Sequence, residues 1–421
     1  MLYKPSQYNC IKVAEKVAIF NTFSGSMAIM ECEEYSKLQH IDELCAEDED
    51  VQRWLRLDFI VEADKDEAAI VNYCRYRDTF LKNRPIYRIL TTSACNARCF
   101  YCYEQGRPIQ NMSKETAVDA ADFIMRSSED AEKIALNWFG GEPLLNPDVI
   151  TLIMQKLNVT MGKEKVASSM ITNASLFSKE LIDLAKEEWN LTNIQITLDG
   201  MAETHEKRKA YVNNEYYFNK TIETIGSLLS AGFHVSLRLN YDKKNFSNII
   251  VLIHFIHKIF GNPSNLSCYA YPLFNTSSRN EAAYVYDKDI PEYIPRILHA
   301  LTECGYYNPM NILPRLTTAC FATDPYSYVI NTDGLLYKCT MDGMEPSRSV
   351  GNVWDGVQMN NRIIEWTTPV LIEQCHECKM LPICQGGCRA SHMLNIDMNG
   401  CEIKKQLIEY TLNHLLKTET L

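Results

Sequence analysis

Long apolar runs are missing from this chain of 421 residues: nowhere do ~18 uninterrupted apolar positions follow one another, which excludes a membrane-spanning helix. The opening MLYKPSQYNCIKVAEK has no apolar stretch of the kind a secretory signal carries, so a cytoplasmic protein is expected. Positive charge is scarce as well. With 42 Lys and Arg against 53 Asp and Glu, a net charge of -11 and no basic cluster, the chain is not built to live on nucleic acid. It has no internal repeat and no low-complexity segment, and its length is enough for roughly two to four globular domains.

What the chain has in excess is cysteine, 16 in all. Disulfides suit small secreted domains and a reducing cytosol opposes them. Cys10, Cys32, Cys45, Cys74, Cys268 and Cys304 are scattered, as inert thiols are. The other ten fall into two regions of close spacing, the pattern that metal or iron-sulfur ligation produces.

Between Lys12 and Asp64 the runs VAIFNT, MAIMEC and LRLDFIV accompany a turn at Ser24-Gly25-Ser26 and two short amphipathic stretches. That pattern predicts a small strand-strand-helix-helix unit with a closing strand over 1–64. Ala69, Tyr73, Tyr76 and Phe80 then predict a connecting helix within 65–84, ended by Asn83-Arg84-Pro85. Over 85–305 the strand candidates IYRILTT, IALNWFGG, SSMITNA, IQITLDG and VSLRLNYD alternate with the helix candidates ETAVDAADFIMRS, LIDLAKEE and NKTIETIGSLLSAG. Such interleaving indicates parallel α/β, most simply a partial or complete barrel. From about Met310 the chain is rich in Cys and Gly with little periodicity, which predicts a domain over 310–404 held by metal rather than by a large core. IKKQLIEYTLNHLLK then predicts an amphipathic helix over 405–421.

In TTSACNARCFYCYE, Cys95, Cys99 and Cys102 make a CxxxCxxC directly after a strand candidate. Three thiolates on one short loop hold three irons of a [4Fe-4S] cube and leave the fourth open to a ligand. The motif resembles that of the radical S-adenosylmethionine (radical SAM) superfamily, and the aromatic Tyr101 before the third cysteine fits it. The resemblance implies a partial (β/α)6 TIM-type barrel whose open iron chelates the amino and carboxylate groups of SAM. It also implies that Gly140, Gly141 and Glu142 of WFGGEP meet the methionyl amino group. Thr172 and Asn173 of ITNA, with Thr197 and Asp199 of ITLDG, stand where the family's strand ends meet the ribose and methionyl parts. His205 and Arg208 of HEKR, then Arg238 and Asn240 of LRLN, follow in the same order. Most of these fall at or just beyond strand ends, where barrel chemistry occurs. Singly, GGEP and TLDG are turns and the arginines are surface ion-pair residues; the weight lies in their shared order behind CxxxCxxC.

The second group is Cys320, Cys339, Cys375, Cys378, Cys384, Cys388 and Cys401, with Gly334 between the first two. Its spacing resembles the SPASM domain, the auxiliary-cluster module of radical SAM enzymes that modify peptides and proteins. By that resemblance Cys320, Cys339 and Cys388 share one auxiliary [4Fe-4S] cluster and Cys375, Cys378, Cys384 and Cys401 the other, which makes three clusters in all. Zinc remains the alternative, because CxxC pairs also build zinc sites. The first auxiliary set is one ligand short and positions 311 to 319 contain no cysteine, so an open iron is expected there; Cys304 is the nearest other candidate upstream.

The N-terminal stretch from IFNTFSGSMAIMEC to LRLDFIVEADKDE is similar to the winged-helix, PqqD-like recognition element of maturases that act on ribosomally made peptides. A plain structural extension of the barrel is the alternative. Together the resemblances imply a radical SAM/SPASM oxidoreductase that cleaves SAM reductively to a 5′-deoxyadenosyl radical. The expected product is a crosslink, first choice a Cys thioether, in a precursor peptide whose leader segment binds the N-terminal unit. Flavodoxin or ferredoxin is the expected electron donor. A carbon-carbon or carbon-oxygen aromatic crosslink uses the same machinery, and so does formylglycine formation by an anaerobic sulfatase maturase. The N-terminal unit and the missing extra cysteine argue against the last of these. A non-catalytic zinc or electron-transfer protein leaves the open iron of CxxxCxxC unexplained. No general acid or base stands out among Asp199, His205 and the barrel tyrosines.

Overall fold

The computed structural model describes residues 2–80, 84–213, 215–273, 289–311, 320–368, 373–394 and 400–418. The N-terminal unit runs β1 (Tyr3–Pro5), β2 (Asn9–Val13), β3 (Val17–Asn21), β4 (Met27–Met30), α1 (Cys32–Gln39), α2 (Glu49–Arg56) and β5 (Ile60–Glu62). Strands β2, β3 and β4 form an antiparallel sheet in that order, while β5 pairs with β1 instead of closing the sheet. Alternating side chains sort to opposite faces. Val17 and Ile19 pack on Leu38, Val51 and Trp54, whereas Ala18, Phe20 and Cys10 face Ile408, Leu412 and Leu415 far along the chain.

The connecting helix is α3 (Glu67–Phe80), started by the Asp66 carboxylate accepting from the Ala69 N–H at 2.9 Å. Its expected apolar stripe is largely the wrong face. Tyr73, Tyr76 and Phe80 are exposed, and Val71 enters the core with Tyr8 and Leu381. The buried Glu67 carboxylate replaces a broad stripe by accepting from Ser6 Oγ at 2.5 Å and Gln7 N at 2.9 Å. Of the expected stop at Asn83-Arg84-Pro85, Asn83 lies outside the described residues, as do positions 81 and 82.

The central layer alternates β6 (Ile86–Thr92), α4 (Lys114–Ser127), β7 (Ile134–Gly140), α5 (Pro147–Met161), β8 (Val166–Thr172), α6 (Lys179–Glu187) and β9 (Leu191–Leu198). It continues through α7 (Ala202–Lys209), α8 (Phe218–Ser230), β10 (His234–Tyr241), α9 (Phe246–Phe260), β11 (Leu266–Pro272) and α10 (Ile290–Glu303). Strands β6 to β11 are parallel and lie in sequence order, as right-handed βα repetition requires. Ile134, Leu136 and Trp138 are buried in one continuous core with the helices, and the alternate Ala135, Asn137 and Phe139 are half-buried on the other face of the sheet. There Asn137 bonds Ser169 at 3.0 Å and Tyr269 bonds Gln195 at 2.9 Å. The architecture is an α/β partial barrel of six parallel strands. The sixth, β11, was not among the strand candidates.

The chain then returns to the barrel. β12 (Tyr328–Ile330) pairs parallel with β6, and β13 (Leu335–Tyr337), β14 (Gly351–Asn352) and β15 (Gly356–Val357) extend the sheet antiparallel. Three short helices follow, α11 (Asn361–Thr367), α12 (Leu381–Cys384) and α13 (Arg389–Leu394), then α14 (Gly400–Thr418). Helix α14 begins ahead of the expected boundary at 405 and carries Cys401 in its first turn; it packs on α10 and on the N-terminal sheet. No helix among the described residues is long and apolar enough to cross a membrane.

Candidate active site

The strand β6 ends at Thr92, whose hydroxyl accepts from the Ala94 N–H at 2.9 Å and so starts the turn into the first thiol loop. The loop is pinned to the far end of α7, because the Arg98 N–H donates to the carbonyls of Lys209 and Ala210. Cys95 and Cys99 pack against Ala97, Tyr211 and Tyr217. Burial pushes Cys95 up to about 12 and Cys102 up to about 11, with neighbouring thiolates adding to both; it raises Cys99 as well, with Asp199 adding there. The free thiols are therefore protonated at neutral pH, and taking up metal must release their protons.

The facing strand end approaches the loop closely. A methyl group on Gly141 would stand 2.1 Å from the Ala94 carbonyl oxygen, and one on Gly140, at φ +118, 2.2 Å from that of Thr92. Both glycines are needed for this approach. Glu142, 1 % exposed, accepts from Thr172 Oγ1 at 2.7 Å, Asn173 N at 2.8 Å and Leu144 N at 3.2 Å. Of about four lone-pair positions on a carboxylate, three are used, which leaves room for one further donor such as an ammonium group. Asn173 continues the network to Asn96, next to Cys95, at 2.8 Å.

Beside the thiols lies a buried charge cluster. Tyr101 donates to both carboxylate oxygens of Asp199, at 2.8 and 2.7 Å, and Lys209 stands 3.4 Å from Asp199. Burial alone would raise Asp199, but Lys209 and the other cations outweigh it and hold the carboxyl below its ordinary value. Burial likewise opposes charge on Lys209, and the Asp199 carboxylate holds its ammonium above the ordinary lysine value. The Asp199 N–H donates to His205 Nδ1 at 3.3 Å; burial and Lys209 push this imidazole down to about 3. His205 is thus neutral at pH 7, with Nδ1 accepting from the Asp199 backbone.

Arg208, 7 % exposed, gives Nη1 to Asp242 at 3.0 Å, while Nε and Nη2 have no partner among the described residues. It lies 4.9 Å from the ring centre of Phe100 beside an open cavity of about 400 Å³ bounded also by Lys207, Lys244 and Asn245. That free edge suits a bidentate carboxylate or phosphate. Thr197 on β9 is the register partner of Arg238 on β10, and the Arg238 Nε donates to Asn240 Oδ1 at 2.9 Å. Asn245 donates to the carbonyls of Asp199 and Asn240, tying the ends of β9 and β10 together. Lys209, Asp242 and Asn245 were not singled out in the sequence. Only Lys209 left a signal, one turn after His205 on the same helix.

The remaining cysteines also gather in sets. Burial pushes Cys339 up to about 12 and raises Cys320; Cys388 adds to both rises, and Cys320 to that of Cys339. Cys375 and Cys384 are raised by burial and further by Cys378 and Cys401, and Cys384 adds to the rise of Cys375. Among the described residues no group of three or more His, Cys, Asp or Glu side chains is drawn together as ligands of one metal ion would be. An all-thiol donor set of this kind suits an iron-sulfur cluster, and its CxxC pair suits zinc as well. Cys304 belongs to neither set: it is 3 % exposed at the end of α10, with Sγ 3.5 Å from His254 Nδ1. The first thiol loop and the segment after Cys339 meet directly. Tyr103, following Cys102, donates to the Thr340 hydroxyl at 3.2 Å, and Arg107 donates to the Thr340 carbonyl at 3.0 Å.

Residues 89–256 match the sequence model of the Radical SAM superfamily. A probable GTP 3′,8-cyclase of Archaeoglobus fulgidus is 34% identical over 27% of this chain and 35% of its own length. A Fe-coproporphyrin III synthase of Methanosarcina barkeri is 24% identical over 39% of each. The chain thus spans well under half the length of these curated relatives. Among solved structures, anSMEcpe with bound AdoMet and the Cp18Cys peptide superposes with a TM-score of 0.63 at 18% identity, over 79% of this chain and 98% of that one. SuiB of Streptococcus suis bound to precursor peptide SuiA gives 0.55 at 14% identity, over 95% and 98%. At such identities the likeness is one of fold.

Proposed function

Starting from the radical SAM domain that residues 89–256 form, we propose that this enzyme modifies a peptide, installing a crosslink in a ribosomally made precursor. The observation that carries the reading is a loop bearing three half-buried thiols, Cys95, Cys99 and Cys102, whose entry at Thr92 and Ala94 meets the Gly140–Gly141 strand end across a gap too small for a methyl group. When bound there, a [4Fe-4S] cluster and SAM supply a 5′-deoxyadenosyl radical able to take hydrogen from an unactivated carbon. The chain's own residues orient and enclose. Glu142 would receive the methionyl ammonium, the free edge of Arg208 the carboxylate, and Thr197 and Asn240 the nucleoside part. Tyr101, Asp199 and Lys209 hold the thiol loop against α7.

Cys320, Cys339 and Cys388 would hold one auxiliary cluster, and Cys375, Cys378, Cys384 and Cys401 a second. Cys304 stands apart from the first set, which favours an open iron there and a Cys thioether as the first choice of product. The leader reading draws support from the SuiB likeness, which extends over 95% of the chain where the anSMEcpe likeness extends over 79%. Formylglycine formation is the second reading, favoured by the peptide in the anSMEcpe complex. The test is anaerobic purification and reconstitution, with iron and 5′-deoxyadenosine measured, then mass spectrometry of the peptide product. About twelve irons and loss of two hydrogen atoms support the crosslink. Replacement of a thiol by an aldehyde supports formylglycine, and zinc with no deoxyadenosine refutes both.

A further inference from the structure

Arg88 lies in the middle of β6, between Asn137 of β7 and Val329 of β12. Its guanidinium lies over two rings, 5.1 Å from the centre of Phe139 and 4.6 Å from that of Phe321, and Nε donates to Asn137 at 2.8 Å. Phe321 directly follows Cys320. Among the described residues no carboxylate pairs with this arginine; the acidic groups that act on it are Tyr103, Cys339 and Cys320. A fixed cation in a desolvated place is costly unless an anion accompanies it. The thiols supply that anion only when ionised, and they are ionised when they hold iron.

We propose that Arg88 is a positioning and tuning residue for the auxiliary cluster at Cys320, Cys339 and Cys388, raising its reduction potential so that it accepts an electron. The inference rests on the reading that these cysteines hold a cluster. A thiolate-ligated cube is an anion that gains one negative charge on reduction, so a fixed positive charge nearby favours the reduced form. The redox step is one electron in, with no bond made or broken. In the test, that electron comes from dithionite.

The experiment is a potentiometric titration, followed by electron paramagnetic resonance, of the full reconstituted chain and of Arg88→Met, Arg88→Gln and Arg88→Lys. The signal concerned is the one lost in Cys339→Ala. The reduction equilibrium should become about tenfold less favourable in the Met and Gln variants, a fall of about 59 mV for one electron, with iron per chain unchanged. Arg88→Lys keeps the charge and should recover most of the shift. Full iron with an unmoved potential in either neutral variant overturns the inference alone. About four irons in the unsubstituted chain overturns the auxiliary-cluster reading and the inference with it.

Discussion

Replacing Lys209 by Met is the sharpest probe of the buried cluster that braces the first thiol loop. The substitution removes the cation 3.4 Å from Asp199 and leaves a carboxylate with a side chain 0 % exposed. Breaking a buried pair from one side costs about 3–5 kcal/mol, because the surviving carboxylate keeps the Tyr101 hydroxyl but loses the cation that offset its burial. For a barrel of this size each kcal/mol lowers Tm by about 2–4 °C, so the metal-free chain should melt about 6–20 °C lower. The double variant Lys209→Met, Asp199→Asn removes both charges and should recover much of the loss. The sign with pH follows from the two shifts. The depressed Asp199 contributes stability above the ordinary value of 3.8 and loses it as pH falls through its folded value; the elevated Lys209 contributes below 10.5 and loses it as pH rises through its own. Between those limits the penalty should be flat. Calorimetry across neutral pH tests this, and a single variant within about 2 °C of the parent, or a double variant no better than the single, would refute the reasoning.

Gly141→Ala should push the Ala94 segment away and cost the first cluster, seen as about four irons lost with the other clusters retained. His205 is held near 3 against an ordinary 6.5, so the folded barrel resists the proton that the unfolded chain takes up. Stability should therefore fall as pH drops from 6.5 toward 3, and His205→Asn should flatten that part of the profile in thermal melts. Cys304→Ala should keep the full iron load; loss of about four irons would place Cys304 among the ligands.

Periodicity and spacing made much of this legible. β6 to β10 could be read because each alternates a buried apolar residue with a half-exposed one and ends in a turn. β11 could not, since LSCYAYP mixes aromatic and small residues without clean alternation, and α9 is so evenly apolar that its run suits a buried strand as well as a helix. The aromatic stripe of α3 misled because Val71 and a buried carboxylate do the packing there. The cysteine sets stand out in the sequence by their close spacing, the pattern that ligation produces. The supports around them were not: Asp242 reaches Arg208 from 34 positions away, and Asn245 joins strand ends that are neighbours only after folding.

The N-terminal sheet shares its second face with α14, and Lys12 pairs with Glu409 across 397 positions of chain. On the ribosome, at 5–20 residues per second, that face stays uncovered for about 20–80 s after it emerges. During that interval Ala18 and Phe20 form an open apolar surface beside unpaired strand edges, the kind of species that chaperones bind. The yield of active protein is therefore set in part by how quickly synthesis reaches α14, and slowing translation through the barrel should favour aggregation over assembly.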